Sequence, residues 1–390
     1  GRGMKATRSG QVIGTALENR TTDSDRDTVM VFVKNDYYNE APENALTIED
    51  IQILSAVTNI TDIILEGTLV NIEPDKTLLP VATASYAALE LLNVPEAHSQ
   101  GFTGKGRLVC TFDTGVEGTH PVLKDKWRGV SHPVNECWYS SRGDLLPTDS
   151  LGHGTHTMGS LVGDNFGVAP RAEWISAGVI DQGRDLNVTI SDIILAFQWA
   201  MNPDNNASTT SDIPDVISNS WGIPASILPA CSPVFRNMLV NVEAVGIVTV
   251  FAAGNEGTFG ASTLRDPADY EFAVGAIDMN KVIANFSSRG PSRCTGETKP
   301  DVVGPGVGVY SSFLNGSYRT MSGTSMAAPL IAGFVALARQ YNPETTVAEI
   351  KAAIVESCRD LGDIGKDNTF GSGLPNAVRM IELLPPPDVV

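Results

Sequence analysis

At 390 residues the chain is too long for one average domain and suits one large domain plus a smaller unit. A hydrophobic content of 42% is enough to bury a core, which excludes global disorder. The formal net charge is −18; up to Ser85 there are 7 Lys and Arg against 13 Asp and Glu, and beyond it 20 against 32. Both parts are therefore acidic, and neither offers the basic footprint that nucleic acid or an anionic membrane surface requires.

No run of about 18 apolar residues is present, so no helix is expected to span a bilayer. The start, Gly1-Arg2-Gly3-Met4, has no apolar stretch behind its basic residue, and no signal peptide is read there. Five cysteines (Cys110, Cys137, Cys231, Cys294, Cys358) lack metal-ligand spacing, and their odd number argues against a complete disulfide framework. The redox compartment is left open.

Residues 1–27 are polar and charged and read as a loose leader. Val29 to Val33 reads as a short strand, Thr47 to Val57 as a helix with Ile48, Ile51 and Leu54 near one face, and Ile63 to Ile72 as a strand. Thr77 to Ser85 carries no strong pattern and reads as a linker. From Tyr86 onward apolar runs alternate with amphipathic stretches. Arg107 to Phe112, Trp174 to Ile180, Asp215 to Ser218, Gly246 to Ala253 and Phe272 to Ile277 are expected strands. Continuous apolar runs such as Ile247 to Ala252 suit strands buried on both faces of a parallel sheet. One expected helix is capped by Thr189, with Ile190, Ile193, Ile194, Phe197 and Met201 in one stripe; another starts at Thr346. The alternation implies an α/β fold with helices on both faces of the sheet.

Four segments carry candidate chemistry, each with a plainer alternative. The strand Leu108 to Phe112 runs into Asp113-Thr114-Gly115, where Asp113 either starts a turn or serves as a partnered acid. Gly152-His153-Gly154-Thr155-His156 holds two of the five histidines, either as a helix N-terminus with one buried His or as a general base; zincin spacing is absent. Gly323-Thr324-Ser325-Met326-Ala327-Ala328-Pro329 opens an apolar helix, with Pro329 in its first turn. Thr324 or Ser325 either caps that helix or Ser325 uses the free N–H groups and dipole of the helix start to hold an oxyanion. Asn255, after the strand ending Ala252-Ala253-Gly254, either turns the chain or donates to a developing negative oxygen. Together the four supply acid, base, nucleophile and oxyanion donor.

At these segments the chain resembles the subtilisin family of serine proteases, with the family's order Asp, His, Ser. The resemblance runs from about Tyr86 to Leu384 and includes Gly101 to Gly106, Gly167-Val168-Ala169-Pro170 and Lys299-Pro300-Asp301. Pro214 to Gly222 and His120 to Lys124 resemble the bacillopeptidase F-like branch; the kexin branch, with Asp-Asp-Gly at the acid and Asp at the oxyanion position, is disfavoured.

The resemblance implies a subtilisin-like parallel sheet flanked by helices. It makes Ser325 the nucleophile, His153 (not His156) the general base, Asp113 its orienting acid and Asn255 the oxyanion donor with the Ser325 N–H. It also implies that Ser220-Trp221-Gly222 pairs with substrate backbone. Ala252, Ala253 and Gly254 would wall the primary specificity pocket, and Arg265 would fall at its floor. There Arg265 either meets an acidic substrate side chain, or turns outward or pairs with Asp266 or Asp269.

Residues 28–85 resemble a small α+β, ferredoxin-like propeptide, with Val70 to Asp75 as its last strand, though the short gap between Val33 and Asn44 suggests a reduced unit; residues 86–390 would be the catalytic domain. The implied partners are protein or peptide substrates and the chain's own propeptide, in a monomer outside the cell or on its surface. No catalytic cofactor is expected. A helix running from Met158 through Phe166 directly to Gly167 leaves no room for the family's usual tight calcium site, so any structural calcium would lie elsewhere. The competing function is a catalytically silent subtilisin fold used for binding or inhibition.

Overall fold

The structure, a computed structural model, describes residues 81–387 except 230, together with the backbone of two strands, Ile13–Leu17 (β1) and Met30–Lys34 (β2). The chain divides into two compact units, Gly1–Glu66 and Gly67–Val390. In the first, β1 pairs antiparallel with β2, Ile13 opposite Lys34 and Leu17 opposite Met30. β2 is the strand expected at 29–33. β1 falls in the stretch read as a loose leader; its five residues, IGTAL, show no period-two alternation to announce a strand. The helix expected at 47–57 and the strand expected at 63–72, with its continuation to Asp75, lie outside the described residues.

The second unit is built on a seven-stranded, all-parallel sheet. Its strands are β3 (Leu108–Asp113), β4 (Trp138–Ser140), β5 (Glu173–Gly178), β6 (Val216–Asn219), β7 (Val248–Ala252), β8 (Ala273–Ile277) and β9 (Val302–Pro305), in the order β4-β5-β3-β6-β7-β8-β9. The five strands expected from apolar runs are present, with ends shifted by one or two residues. β4 is only three residues long and β9 only four, ending at Pro305, so neither carries a strand-length pattern. A hairpin of β10 (Val309–Phe313) and β11 (Ser317–Met321) forms a separate two-stranded sheet, and the polar, largely exposed β11 gave no apolar signal.

The described helices of more than one turn are α1 (Val81–Leu91), α2 (Val94–Ser99), α3 (His153–Val162), α4 (Leu186–Met201), α5 (Arg236–Ala244), α6 (Thr324–Tyr341), α7 (Val347–Glu356) and α8 (Ala377–Leu383). Three differ from expectation. α1 takes in Val81 to Ser85, so the second half of the expected linker is helical. α4 starts a turn before Thr189, with Asp185 at its N-cap; the Thr189 hydroxyl donates back to the Asp185 carbonyl at 3.0 Å and caps nothing. α3 stops at Val162, where Gly163 donates to the Gly159 carbonyl and Asn165 turns the chain at φ +66°, so no helix reaches Phe166. α7 begins as expected, with a capping box between Thr346 and Glu349.

The core lies where α6, buried from Thr324 to Ala338, packs against β6 to β9 and α3. Strand register brings the carboxyl ends into line: Asp113 stands beside Gly178, Phe112 beside Asn219, and Asn219 beside Phe251. The loops after β3, β6 and β7 thus leave the same edge of the sheet, where open α/β folds gather their reactive groups.

Cys231 and Cys294 form a disulfide that closes a sequence separation of 63, while Cys110, Cys137 and Cys358 are free thiols. By the loop-entropy relation, replacing both Cys231 and Cys294 by Ser should cost about 4 kcal/mol at most. The check is the guanidinium unfolding midpoint of an inactive variant; an unchanged midpoint would show that the bond does not constrain the unfolded chain.

Candidate active site

Asp113 ends β3 as a buried carboxylate, and a buried charge needs close donors. Its Oδ1 accepts from the Thr114 N–H at 2.7 Å and pairs with His153 Nδ1 at 2.7 Å; its Oδ2 accepts from the Thr157 hydroxyl at 3.1 Å. With Nδ1 so engaged, Nε2 is the nitrogen left to exchange a proton. Burial works to lower the His153 pKa, but the Asp113 charge and hydrogen bond, helped by Asp149 and Asp181, outweigh it and hold the pKa above the ordinary value. His156, one turn on, is also buried; its Nε2 lies 3.1 Å and 3.0 Å from the Val309 and Arg319 carbonyls and so donates to them. Burial, then the charge on His153, pushes its pKa down to about 3, so it stays neutral and structural.

His153 is the first residue of α3, and Asp149 fixes that start. Asp149 Oδ1 accepts from the N–H groups of Leu151 (3.0 Å) and Gly152 (2.9 Å) and from the Thr114 hydroxyl (2.9 Å). Its Oδ2 accepts from the Thr155 N–H (2.9 Å) and hydroxyl (2.7 Å). Thr114 in turn accepts the Gly154 N–H at 2.9 Å, which ties the helix start to the end of β3. Asp149, Thr114 and Thr157 were not singled out from the sequence. Asp-Thr-Gly names Thr114 only as turn chemistry, and nothing local marks an aspartate four residues before the His.

Ser325 is the second residue of α6 and is buried, with Gly323 at the N-cap. Pro329 is the sixth residue of α6, not a first-turn residue as expected. Its missing N–H would have bonded the Ser325 carbonyl, four residues back. The Ser220 hydroxyl fills that vacancy, donating to the Ser325 carbonyl at 2.9 Å, while Ser325 Oγ donates to the Ser220 carbonyl at 3.2 Å. The proline thus cross-links the Ser325 turn to the end of β6.

Asn255 follows β7 and faces the same turn. Its Oδ1 accepts from both the N–H (3.1 Å) and the hydroxyl (3.0 Å) of Thr324, whose hydroxyl accepts the Gly254 N–H at 3.2 Å. With the oxygen end held, the amide NH₂ is committed as the donor end.

Ser220, Trp221, Gly222, Ala252, Ala253, Gly254 and Arg265 are brought together. The Arg265 N–H donates to the Ala253 carbonyl at 3.1 Å, and Ile223 and Asp266 form a β-bridge. The Trp221 indole is core: it is buried against Phe235 and Phe251 and donates to Asn219 Oδ1 at 3.2 Å, which leaves the backbone as its face to any ligand. Arg265 turns inward, 7% exposed, and a Cβ on Gly222 would stand 2.7 Å from its Cβ. Its partner is neither Asp266 nor Asp269. Arg265 Nε lies 3.0 Å from both Glu256 carboxylate oxygens, its Nη2 pairs with Oε1, and Nη1 donates to the Gly222 carbonyl at 3.3 Å. Asp269 is taken by the N–H groups of Arg293 and Cys294, and Asp266 by that of Ser232. Glu256 stands beside Asn255 in sequence, but only the folded loop shows that it faces Arg265.

Among the described residues, Cys231, Cys294 and Asp269 come close enough to share an ion, but the two sulfurs are bonded to each other and offer no thiolate. No described helix is long and apolar enough to cross a membrane.

The profile of the Subtilase family matches residues 104–373. Bacillopeptidase F of Bacillus subtilis (strain 168) is 35% identical over 316 residues, 74% of this chain and 21% of that protein. M-protease of Shouchella clausii (strain KSM-K16) is 31% identical over 320 residues, 80% of this chain and 74% of that protein. Subtilisin BL of Lederbergia lenta is 33% identical over 293 residues, 73% of this chain and 94% of that protein. The chain thus spans about a fifth of bacillopeptidase F and most of the other two.

Ser220→Ala should destabilise the protein by about 1–3 kcal/mol, because it leaves a buried carbonyl unpaired. In a Pro329→Ala background the helix regains its own N–H, and the penalty should shrink by about 1 kcal/mol. A double-mutant unfolding cycle reads this directly; additive effects would refute the coupling.

Proposed function

Because this chain belongs to the subtilase family of serine endopeptidases, we propose that it cleaves peptide bonds through an acyl-enzyme on Ser325. The observation that carries the proposal is the buried Asp113–His153 pair at 2.7 Å, set at the sheet edge where Asn255 follows β7 and where Ser325 is bonded to Ser220 after β6. Ser325 attacks the scissile carbonyl while His153 takes its proton, then returns it to the leaving amine; Asp113 steadies the imidazolium. Asn255 and the Ser325 N–H hold the oxyanion. Subtilases need no catalytic cofactor.

The backbone of Ser220 to Gly222 receives the substrate strand, and Ala252 to Gly254 with Arg265 bound its first pocket. The Cys231–Cys294 disulfide supports an oxidising, extracellular setting. Self-processing is also part of the proposal: residues 28–85 act as the propeptide, and the active chain is a monomer. Since α1 starts at Val81, the cut falls before that residue or requires the first turn of α1 to unwind, because a protease takes its substrate extended. N-terminal sequencing of active enzyme decides it.

Labelling of folded, processed protein by a fluorophosphonate tests the reading against the silent-fold alternative. Ser325 should be modified, and Ser325→Ala should be neither labelled nor active; an unlabelled wild type overturns the proposal. Asn255→Ala should lower kcat about 10²–10³-fold with little change in KM, the loss seen on removing an oxyanion donor in this same family.

The base works only when neutral, and its pKa stands above 6.5. kcat/KM should therefore fall with pH along an acid limb centred above pH 6.5. Asp113→Asn removes the main influence raising that pKa and leaves burial, which lowers it. The variant should lose about 10⁴-fold in kcat, with its limb moved to lower pH. A limb that stays in place would show that Asp113 does not set the base.

Glu256 matches the charge of Arg265, so the wild type should show no marked preference for acidic residues before the cut. Glu256→Gln should raise the kcat/KM ratio for Glu over Leu at that position about tenfold or more. A peptide library with no such change would place the guanidinium out of reach of substrate.

A further inference from the structure

Asp266 and Asp269, just past Arg265, are both buried. Two like charges this close repel, and burial adds a desolvation penalty unless donors stand near. Arg293 reaches them only at long range, 4.0 Å from Asp266 and 3.9 Å from Asp269. The close donors are backbone N–H groups. Asp269 accepts from Arg293 (3.1 Å) and Cys294 (3.1 Å), and Asp266 accepts from Ser232 (3.0 Å). Burial is the largest influence on Asp266 and pushes its pKa up to about 6, while the Ser232 N–H is the main one pulling it back. These donors sit on the two loops that the Cys231–Cys294 bond joins across a sequence separation of 63.

The segment that carries the two aspartates also ties the walls of the proposed pocket together. The Arg265 N–H donates to the Ala253 carbonyl at 3.1 Å. Ile223 donates to the Asp266 carbonyl at 2.8 Å, and Asp266 donates back to the Ile223 carbonyl at 3.0 Å. The Arg293 guanidinium donates to the Leu264 carbonyl. One side of this segment thus faces the pocket walls, and the other hangs on N–H groups at or beside the two half-cystines. A covalent bond between those loops limits how far either can withdraw its donors. Both half-cystines are partly exposed, so a small thiol can reach them.

We propose that the Cys231–Cys294 disulfide positions the primary specificity pocket, and that its reduction by a dithiol weakens substrate binding while leaving the Asp113–His153 pair and the Ser325 turn in place. In that step the dithiol supplies two electrons to break the S–S bond and two protons to complete the Cys231 and Cys294 thiols, and it departs as its own disulfide. The contacts that hold the reactive groups run elsewhere: Asp113 is held by Thr114, His153 and Thr157, and the Ser325 carbonyl by Ser220. What reduction releases is the grip on Asp266 and Asp269, and through them the alignment of Ile223 and Arg265.

The pocket's role rests on the proteolytic reading, so one arm of the test needs no activity. The full chain carrying Ser325→Ala, which cannot digest itself, is followed by amide hydrogen exchange before and after treatment with dithiothreitol. Free thiols should rise from three to five. Exchange at Ile223, Arg265 and Asp266 should quicken about tenfold or more, while the amides of His156 and Gly163 keep their rates. Unchanged exchange at the first three overturns the proposal whether or not the chain is a protease. In the second arm, reduction of active enzyme should raise KM for a peptide anilide about tenfold and change kcat less than about threefold. The rate of Ser325 labelling by a fluorophosphonate, which needs no side-chain pocket, should hold. A loss of labelling on reduction, or a fall in kcat with KM unmoved, overturns the proposal by showing that the bond supports the whole domain. Wild type that is never labelled refutes the proteolytic reading instead, and the exchange arm then decides alone. Cys231→Ser combined with Cys294→Ser should match the reduced protein and replaces it if the thiol count does not rise; should that variant fail to fold, the reduced wild type decides.

Discussion

The buried carboxylate of Asp113 is the constraint around which the site is organised. A charge at the end of a fully buried strand is tolerable only with several close donors, and the donors come from three places: the next peptide, Thr157 and His153. Two of them sit on one helix, so satisfying the charge also sets the position of α3 against the sheet. Asp149 then makes that position rigid by collecting N–H groups of the turn before the helix and of its first turn. The electrostatic result follows from the same packing. His153 is buried, which alone would keep it neutral, yet the carboxylates around it hold its pKa high.

A second constraint works through an absent group. Pro329 deprives the Ser325 carbonyl of its helical donor, and the only economical repair in a water-poor core is another hydroxyl. Ser220 provides it, so the turn that carries Ser325 and the strand end that would receive substrate are joined by reciprocal bonds. Asn255 is held to the adjacent Thr324 by a similar logic, with its oxygen pinned and its amide left as donor. The turn of Ser325, the loop of Asn255 and the end of β6 are therefore one network rather than separate loops.

Arg265 shows how a local expectation and the fold diverge. The guanidinium does point inward, as its alignment implied, but its charge is matched by Glu256 and not by the neighbouring aspartates. Those aspartates are consumed by backbone N–H groups around the Cys231–Cys294 bridge. The matched charges of Arg265 and Glu256 leave no net field there.

The primary sequence by itself determined the α/β class, five of the seven sheet strands and the start of α7 at Thr346, and it singled out Asp113, His153, Ser325 and Asn255 as candidates. These rest on local signals: buried runs bounded by glycine, helix-start chemistry, and residue types in a telling order. What only the tertiary structure decided rests on contacts distant in sequence. The three-residue strand β4 and the polar strand β11 exist because of their partners, and α4 begins a turn before Thr189, at Leu186. The roles of Asp149 and Glu256, the link between Ser220 and the carbonyl freed by Pro329, and the choice of Cys231 and Cys294 as partners all depend on where the sheet brings its loops. No spacing along the chain encodes them, since the energy that selects each pairing is the desolvation of a group that becomes buried only once the whole domain has folded.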